Sequence, residues 1–190
     1  MKKLLSLVLF LMLLTVCAFA ETEAAELYTI DFGTFTMDLA ENDYYEVAEE
    51  MTANAVYAII YPNYDPNAST FDNINITWMD MDIAPVIQLA GAEPYAKLVL
   101  EAAAPQYEAM GIKMNNAELL SAIFEENVYV TISYCELDYA GAGVDLVSPL
   151  YQMQVYFCQG EGGSYVFTFS STSMEQLEAL SAYVDGVVFK

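Results

Sequence analysis

The chain alternates apolar and polar residues in many short runs and shifts to helical periodicity in three places. Leu27-Tyr-Thr-Ile-Asp31 and Thr34-Phe-Thr-Met-Asp-Leu39 alternate on either side of Gly33, which predicts two short strands around a turn. Ala55-Val-Tyr-Ala-Ile-Ile-Tyr61 is a β-rich run stopped by Pro62, and residues 62–69 carry loop chemistry. Ile74, Ile76 and Trp78 alternate with Asn75, Thr77 and Met79 and predict another strand. Further on, Val128, Val130, Ile132 and Tyr134 form one apolar series, Tyr151, Met153, Val155 and Phe157 a second, and Tyr165, Phe167 and Phe169 a third. The turns between them are Glu125-Glu-Asn127, a glycine-containing loop over 138–149, and Gln159-Gly-Glu-Gly-Gly163. The acidic stretch 40–52 reads as a loop or a short helical turn. Residues 116–124 fit helix and strand equally.

The first helix is predicted after Asp82, a side chain suited to an N-cap, with Pro85 in the first turn and Gly91 as the stop. The second opens at Pro94, with Tyr95, Leu98, Val99 and Ala102 on one face. Pro105 is expected to kink or split it, and Gly111 to end it. Thr172-Ser-Met-Glu175 is a capping-box pattern that opens the third. That helix points Met174, Leu177, Leu180 and Val184 at the core. Gly186 stops it, and Val187-Val-Phe189 closes the sheet as a last strand. No internal repeat or long linker appears, so the chain reads as one α+β domain: an antiparallel sheet flanked by helices.

The first twenty residues stand apart. Lys2 and Lys3 precede an apolar run from Leu4 to Val16, and Ala18-Phe-Ala20 is a cleavage pattern. The run is short for a membrane span, so residues 1–20 read as a signal peptide of bacterial length and 21–190 as the folded, secreted or extracytoplasmic part. An uncleaved anchor, or a lipoprotein modified at Cys17, is the weaker alternative, since Val16 stands where lipidation wants a small residue.

Charge sharpens this picture. All 27 acidic residues lie beyond Ala20, against Lys97, Lys113 and Lys190, a net charge of −24 for the remaining part. Such a field repels nucleic acid and anionic lipid. Fifteen tyrosines, with phenylalanines and many branched aliphatics, supply a core and argue against disorder. The chain has no histidine, and its five basic residues are all lysines. The usual general base and imidazole zinc ligand are therefore missing, and so is the forked anion clamp. No cofactor is expected.

Cys135 and Cys158 are an even pair in an exported chain, which invites a disulfide. If the strand ending near Leu137 pairs antiparallel with the one starting near Tyr151, the two sulfurs fall at opposite ends of the hairpin. No bond is then expected between them.

The order of elements resembles the PsbP-like fold, which includes the extrinsic photosystem II protein and a nuclear import factor that binds the GTPase Ran. The opening Tyr28-Thr-Ile-Asp-Phe-Gly-Thr-Phe-Thr-Met-Asp38 carries part of the likeness. The rest lies in Leu150-Tyr-Gln-Met-Gln-Val-Tyr-Phe157, a Gly-rich turn, Ser164-Tyr-Val-Phe-Thr-Phe-Ser170, the capped helix and Val187-Val-Phe189. The resemblance implies a non-catalytic binding or accessory module and transfers no site residue.

Three constellations compete for function. Asp80 and Asp82, beside Trp78 and following Asp72, lie on one side of an extended chain and are the candidate metal ligands, for Ca²⁺. Trp78 in the core, Asp82 as a cap and Asp80 as a turn residue account for them better. Asp65, Asn67 and Ser69 begin like a calcium loop, but Thr70 and Ile76 occupy the glycine and closing-glutamate positions. Tyr44, Tyr45, Tyr61 and Tyr64 offer an aromatic surface for sugars or peptides, although core packing is the expected role of most of them. The expected function is thus an exported, non-enzymatic module that binds a protein, peptide or envelope component. A Ca²⁺-dependent binding protein is the alternative, and a carboxylate-dependent glycosidase comes last.

Overall fold

A computed structural model describes residues 27–67 and 72–190. Residues 1–20, expected from the sequence to be a signal peptide, residues 21–26, and Ser69 and Thr70 of the calcium-loop pattern lie outside them.

Two antiparallel sheets form. In the smaller, β1 (Leu27–Asp31) and the two-residue β10 (Val188–Phe189) flank β2 (Phe35–Ala40). The larger has seven strands in the order β3 (Tyr44–Val47), β4 (Val56–Tyr61), β5 (Asn73–Met79), β9 (Ser164–Ser171), β8 (Val147–Cys158), β7 (Val128–Asp138) and β6 (Lys113–Glu125). Among the described residues there are three α-helices: α1 (Ala84–Ala90), α2 (Ala92–Ala109) and α3 (Met174–Ser181).

The alternating runs explain the layers. Side chains two apart along a strand share a face. Phe167 and Phe169 of β9, Met153 and Val155 of β8, and Ile74 and Ile76 of β5 therefore all look to one side of the large sheet. There they meet Phe35, Met37 and Leu39 of β2 and Leu177 and Leu180 of α3 in the main core. The opposite face is apolar at one end only. Tyr129, Tyr156, Cys158 and Val166 pack there beneath Ile83, Ala84, Ile87 and Ala96 of the α1–α2 region. Burying side chains of this size stabilises by about 1.5–3 kcal/mol each.

The β6–β7 turn follows from its sequence. Glu125 pairs with Val128, and the two residues between, Glu126 and Asn127, have φ of 50° and 66°. Two consecutive left-handed residues make the turn whose twist matches antiparallel strands. The ambiguous 116–124 segment lies within β6, interrupted by register shifts after Asn115 and Leu119.

Several expectations are corrected. Residues 44–47 form β3, an edge strand exposed along its whole length, instead of a loop or helical turn. Without a buried face, it shows no hydrophobic alternation. Helix α2 runs unsplit through Pro105, where the proline and Glu101 both face solvent, so water can satisfy the freed carbonyl. Its packed face carries Tyr95, Ala96 and Val99, whereas Leu98 is 63 % exposed. The cap of α3 is one residue later than predicted. Ser173 Oγ accepts the Gln176 N–H at 3.2 Å and donates to Gln176 Oε1 at 2.9 Å, so Ser173 is the cap, while its own N–H donates to Ser171 Oγ at 3.2 Å. Helix α1 starts behind Ile83, although Asp82 Oδ1 still accepts the Ala84 N–H at 3.0 Å. The terminal strand β10 pairs with β2 in the small sheet, and Phe189 packs its ring against Phe35, Phe157 and Tyr165.

Candidate functional site

The helices leave part of the second face of the large sheet for polar residues. Cross-strand register sets them in two rows. One runs Thr131, Gln154, Thr168, Asn75, Ile59 and Glu46 across β7, β8, β9, β5, β4 and β3. The other runs Ser133, Gln152, Ser170 and Asn73. Tyr61 follows on that face, two residues beyond Ile59, and Tyr44 pairs with it. At a strand spacing of about 4.8 Å, six strands span about 24 Å. From Thr131 to Ile59 and from Ser133 to Tyr61, the rows carry no charge.

Local bonding orients these groups and leaves some capacity over. Asn75 Nδ2 donates to Asn73 Oδ1 at 3.1 Å, Gln152 Nε2 to Ser170 Oγ at 3.2 Å, and Tyr156 Oη to Gln154 Oε1 at 2.9 Å. The Gln154 and Asn73 NH₂ groups, the Asn75 and Gln152 carbonyls, and the Thr168 hydroxyl have no protein partner among the described residues. Thr131 is 7 % exposed, and its hydroxyl also lacks one. No fully buried side-chain nitrogen or oxygen is left unbonded among the described residues, so the spare groups reach solvent.

The tyrosines form the outer end of this face, against the expectation that they fill the core. Tyr44, Tyr45 and Tyr64 are 43 %, 40 % and 39 % exposed. Ring centroids of Tyr44 and Tyr64 lie 5.1 Å apart, of Tyr61 and Tyr64 5.9 Å, and of Tyr44 and Tyr61 6.2 Å. Tyr44 donates to Glu46 Oε1 at 2.8 Å, and this hydrogen bond raises its phenol above the ordinary value. Tyr45 points to the other side, its ring edge-on to Phe32. Alternation along an edge strand thus puts two adjacent, exposed tyrosines on opposite sides of the sheet. The signal in the sequence was the pairing of Tyr44 with Tyr61, which becomes visible only once 44–47 is recognised as a strand.

The candidate metal ligands are not brought together with their neighbour. Asp72 and Asp80 flank β5 at opposite ends, roughly 26 Å apart at about 3.3 Å per residue. Asp80 is exposed in the bend after the strand, and Asp82 holds the start of α1. Among the described residues, no three His, Cys, Asp or Glu side chains converge as metal ligands. Trp78 is half-buried, its indole N–H donating to the Gly162 carbonyl at 3.1 Å.

Both cysteines are free and buried. Cys135 pairs with Leu150, so the length of β8 from Leu150 to Cys158, roughly 26 Å, separates the thiols. Burial pushes the Cys135 thiol up to about 11, and Cys158 is raised for the same reason. An open groove of about 510 Å³ lies between the C-terminal half of α2 and the start of β6, lined by Glu108, Lys113 and Asp138 among others. Among the described residues, no helix is long and apolar enough to cross a membrane.

No protein-family model matches the sequence, and no curated protein does either. Solved structures do. The cyanobacterial PsbP (CyanoP) of Synechocystis sp. PCC 6803 superposes with a TM-score of 0.57 at 9 % identity, covering 92 % of this chain and 99 % of that one. The Ran-binding protein Mog1p of Saccharomyces cerevisiae superposes with a TM-score of 0.52, also at 9 % identity, covering 87 % and 96 %. At such identity only architecture is shared, and it extends over nearly the whole described chain: the fold is that of PsbP and Mog1p.

Proposed function

We propose that this protein is an exported, non-enzymatic binding or accessory module of the cell envelope or extracellular space. The observation that carries the reading is the Tyr44–Tyr61–Tyr64 cluster, continuous with half-buried neutral polar rows. Exposed aromatic rings and spare amide groups recognise a ligand without supplying an acid, a base or a nucleophile. The fold agrees with this role, since a protein of the same architecture is described as Ran-binding. The lysine-led apolar leader ending in Ala18-Phe-Ala20 supports export.

The test is to immobilise the 21–190 chain and the variant carrying Tyr44→Ala and Tyr64→Ala, then challenge both with fractionated envelope material. Capture by the parent and loss in the variant is expected. A glycoside hydrolysis activity that disappears in Glu108→Gln or Asp138→Asn would overturn the non-enzymatic reading. So would retention of a reporter fused after Ala20 inside the cytoplasm, for the export part.

A further inference from the structure

We propose that the tyrosine-edged rows on the second face of the large sheet bind a neutral, polyhydroxylated chain, that is, an uncharged oligosaccharide. The inference rests on the binding-module reading and names its ligand class. Charge selects first. The chain has 27 acidic residues and five lysines, yet the rows between Thr131 and Ile59 contain no ionisable group. An anionic ligand is repelled by the net field. A cationic one meets a single carboxylate, Glu46 at the tyrosine end of the first row, and that group already accepts from the Tyr44 hydroxyl. A neutral ligand incurs neither penalty.

Hydrogen-bonding capacity selects next. Asn73, Gln152 and Gln154 each bond through one end of the amide, leaving the other end for water or ligand. An amide NH₂ donates and an amide carbonyl accepts, so together they match sugar hydroxyls, which do both. The spare groups repeat at the strand spacing across β8, β9 and β5, which favours an extended ligand over a compact one.

The aromatic end supplies the apolar part. Tyr44, Tyr61 and Tyr64 lie within 6.2 Å of one another, centroid to centroid, and Tyr44 and Tyr64 each keep about two-fifths of their surface exposed, so an aromatic platform edges the rows. A platform suits the C–H face of a pyranose, whereas a quaternary ammonium needs an enclosing cage.

Affinity electrophoresis tests the proposal, because a chain this acidic migrates readily in native gels. The gels would contain dextran, pullulan, galactomannan, barley β-glucan or hydroxyethyl cellulose, with polygalacturonate as the anionic control. At least one neutral polymer is expected to retard the parent chain, and polygalacturonate is not. The Tyr44→Ala/Tyr64→Ala variant and Gln154→Ala should each weaken retardation about tenfold. Tyr44→Phe keeps the ring and should stay within about twofold, and Leu98→Ala, remote on α2, should be unchanged. Retardation by none of the neutral polymers, or only by polygalacturonate, overturns the proposal. Retardation that survives the tyrosine and glutamine substitutions overturns the assigned face. Tyrosine-dependent capture of an envelope protein without any glycan binding also overturns the glycan assignment, while leaving the binding-module reading intact.

Discussion

Gly163 sits where the chain enters β9, and replacing it with alanine should be among the most damaging single-methyl additions the protein can receive. Its φ is 90° and its ψ −151°, a region reserved in practice for glycine. A Cβ there would lie closer than 3.0 Å to the Met79 carbonyl oxygen and 3.2 Å from Trp78 Nε1. The dihedral penalty alone is about 1–3 kcal/mol. The clash is with backbone of the paired strand β5, so relief requires prising β5 from β9, and about 4 kcal/mol in total is expected. Gly143 is the internal control. Its φ is 85° and ψ 13°, an ordinary left-handed conformation, and a Cβ there meets nothing within 4 Å. Gly143→Ala should cost about 1 kcal/mol, with part of the left-handed penalty offset by a less flexible unfolded chain. Urea titration followed by the fluorescence of Trp78, the chain's one tryptophan, measures both. With a slope of about 2.5 kcal/mol per molar, Gly163→Ala should lower the midpoint by about 1.5 M and Gly143→Ala by about 0.4 M. Equal midpoints for the two variants would refute the close approach of Met79 to Gly163.

Other consequences can be checked with the same titration. Ser173→Ala should cost about 1 kcal/mol through loss of the α3 cap, and Thr172→Ala should cost clearly less; the reverse order would restore the Thr172 cap. Asp43 accepts the Ala40 and Asn63 N–H groups and the Tyr183 hydroxyl, so Asp43→Ala should destabilise by about 2–3 kcal/mol, and a loss under about 0.5 kcal/mol would show those bonds to be dispensable. The Cys135 thiol, lifted to about 11 by burial, stays protonated in the folded chain when it has already ionised in the unfolded one. Its contribution is therefore complete below about pH 8.5 and drains away as pH rises towards 11, and Cys135→Val should flatten that decline.

The central strands were legible because each buries at least one face deeply. Phe167 and Phe169 against Met153 and Val155 is a pattern that only one register satisfies. Strand β3 was not legible. Its residues Tyr44, Tyr45, Glu46 and Val47 are all exposed, so partnership with β4, instead of burial, makes them a strand. The same gap hid the candidate site, since Tyr44 and Tyr61 meet only through that pairing. In α2 the larger side chain misled. Leu98 is the stronger hydrophobe, yet Ala96 is buried, because a small residue lets the helix come near the sheet. The capping error has a similar origin: Thr172 and Ser173 both satisfy the box pattern, and only the path of the chain leaving β9 selects the serine. Charge and missing residue types narrowed the chemistry, but the neutral rows needed the register of five strands at once.

The pairing of β2 with β10 gives the fold a clock. Phe35 lies opposite Phe189, and β5 finds its partner in β9 only after α1, α2 and three strands have been made. Contacts so distant along the chain are slow to form, because loop closure precedes any stabilising return. An amino-terminal portion emerging first has Phe35 and Met37 ready but nothing to seat them on, since their neighbours Phe167, Leu177 and Phe189 arrive last. The main core therefore closes only once the last residues, through Phe189, are free to pair.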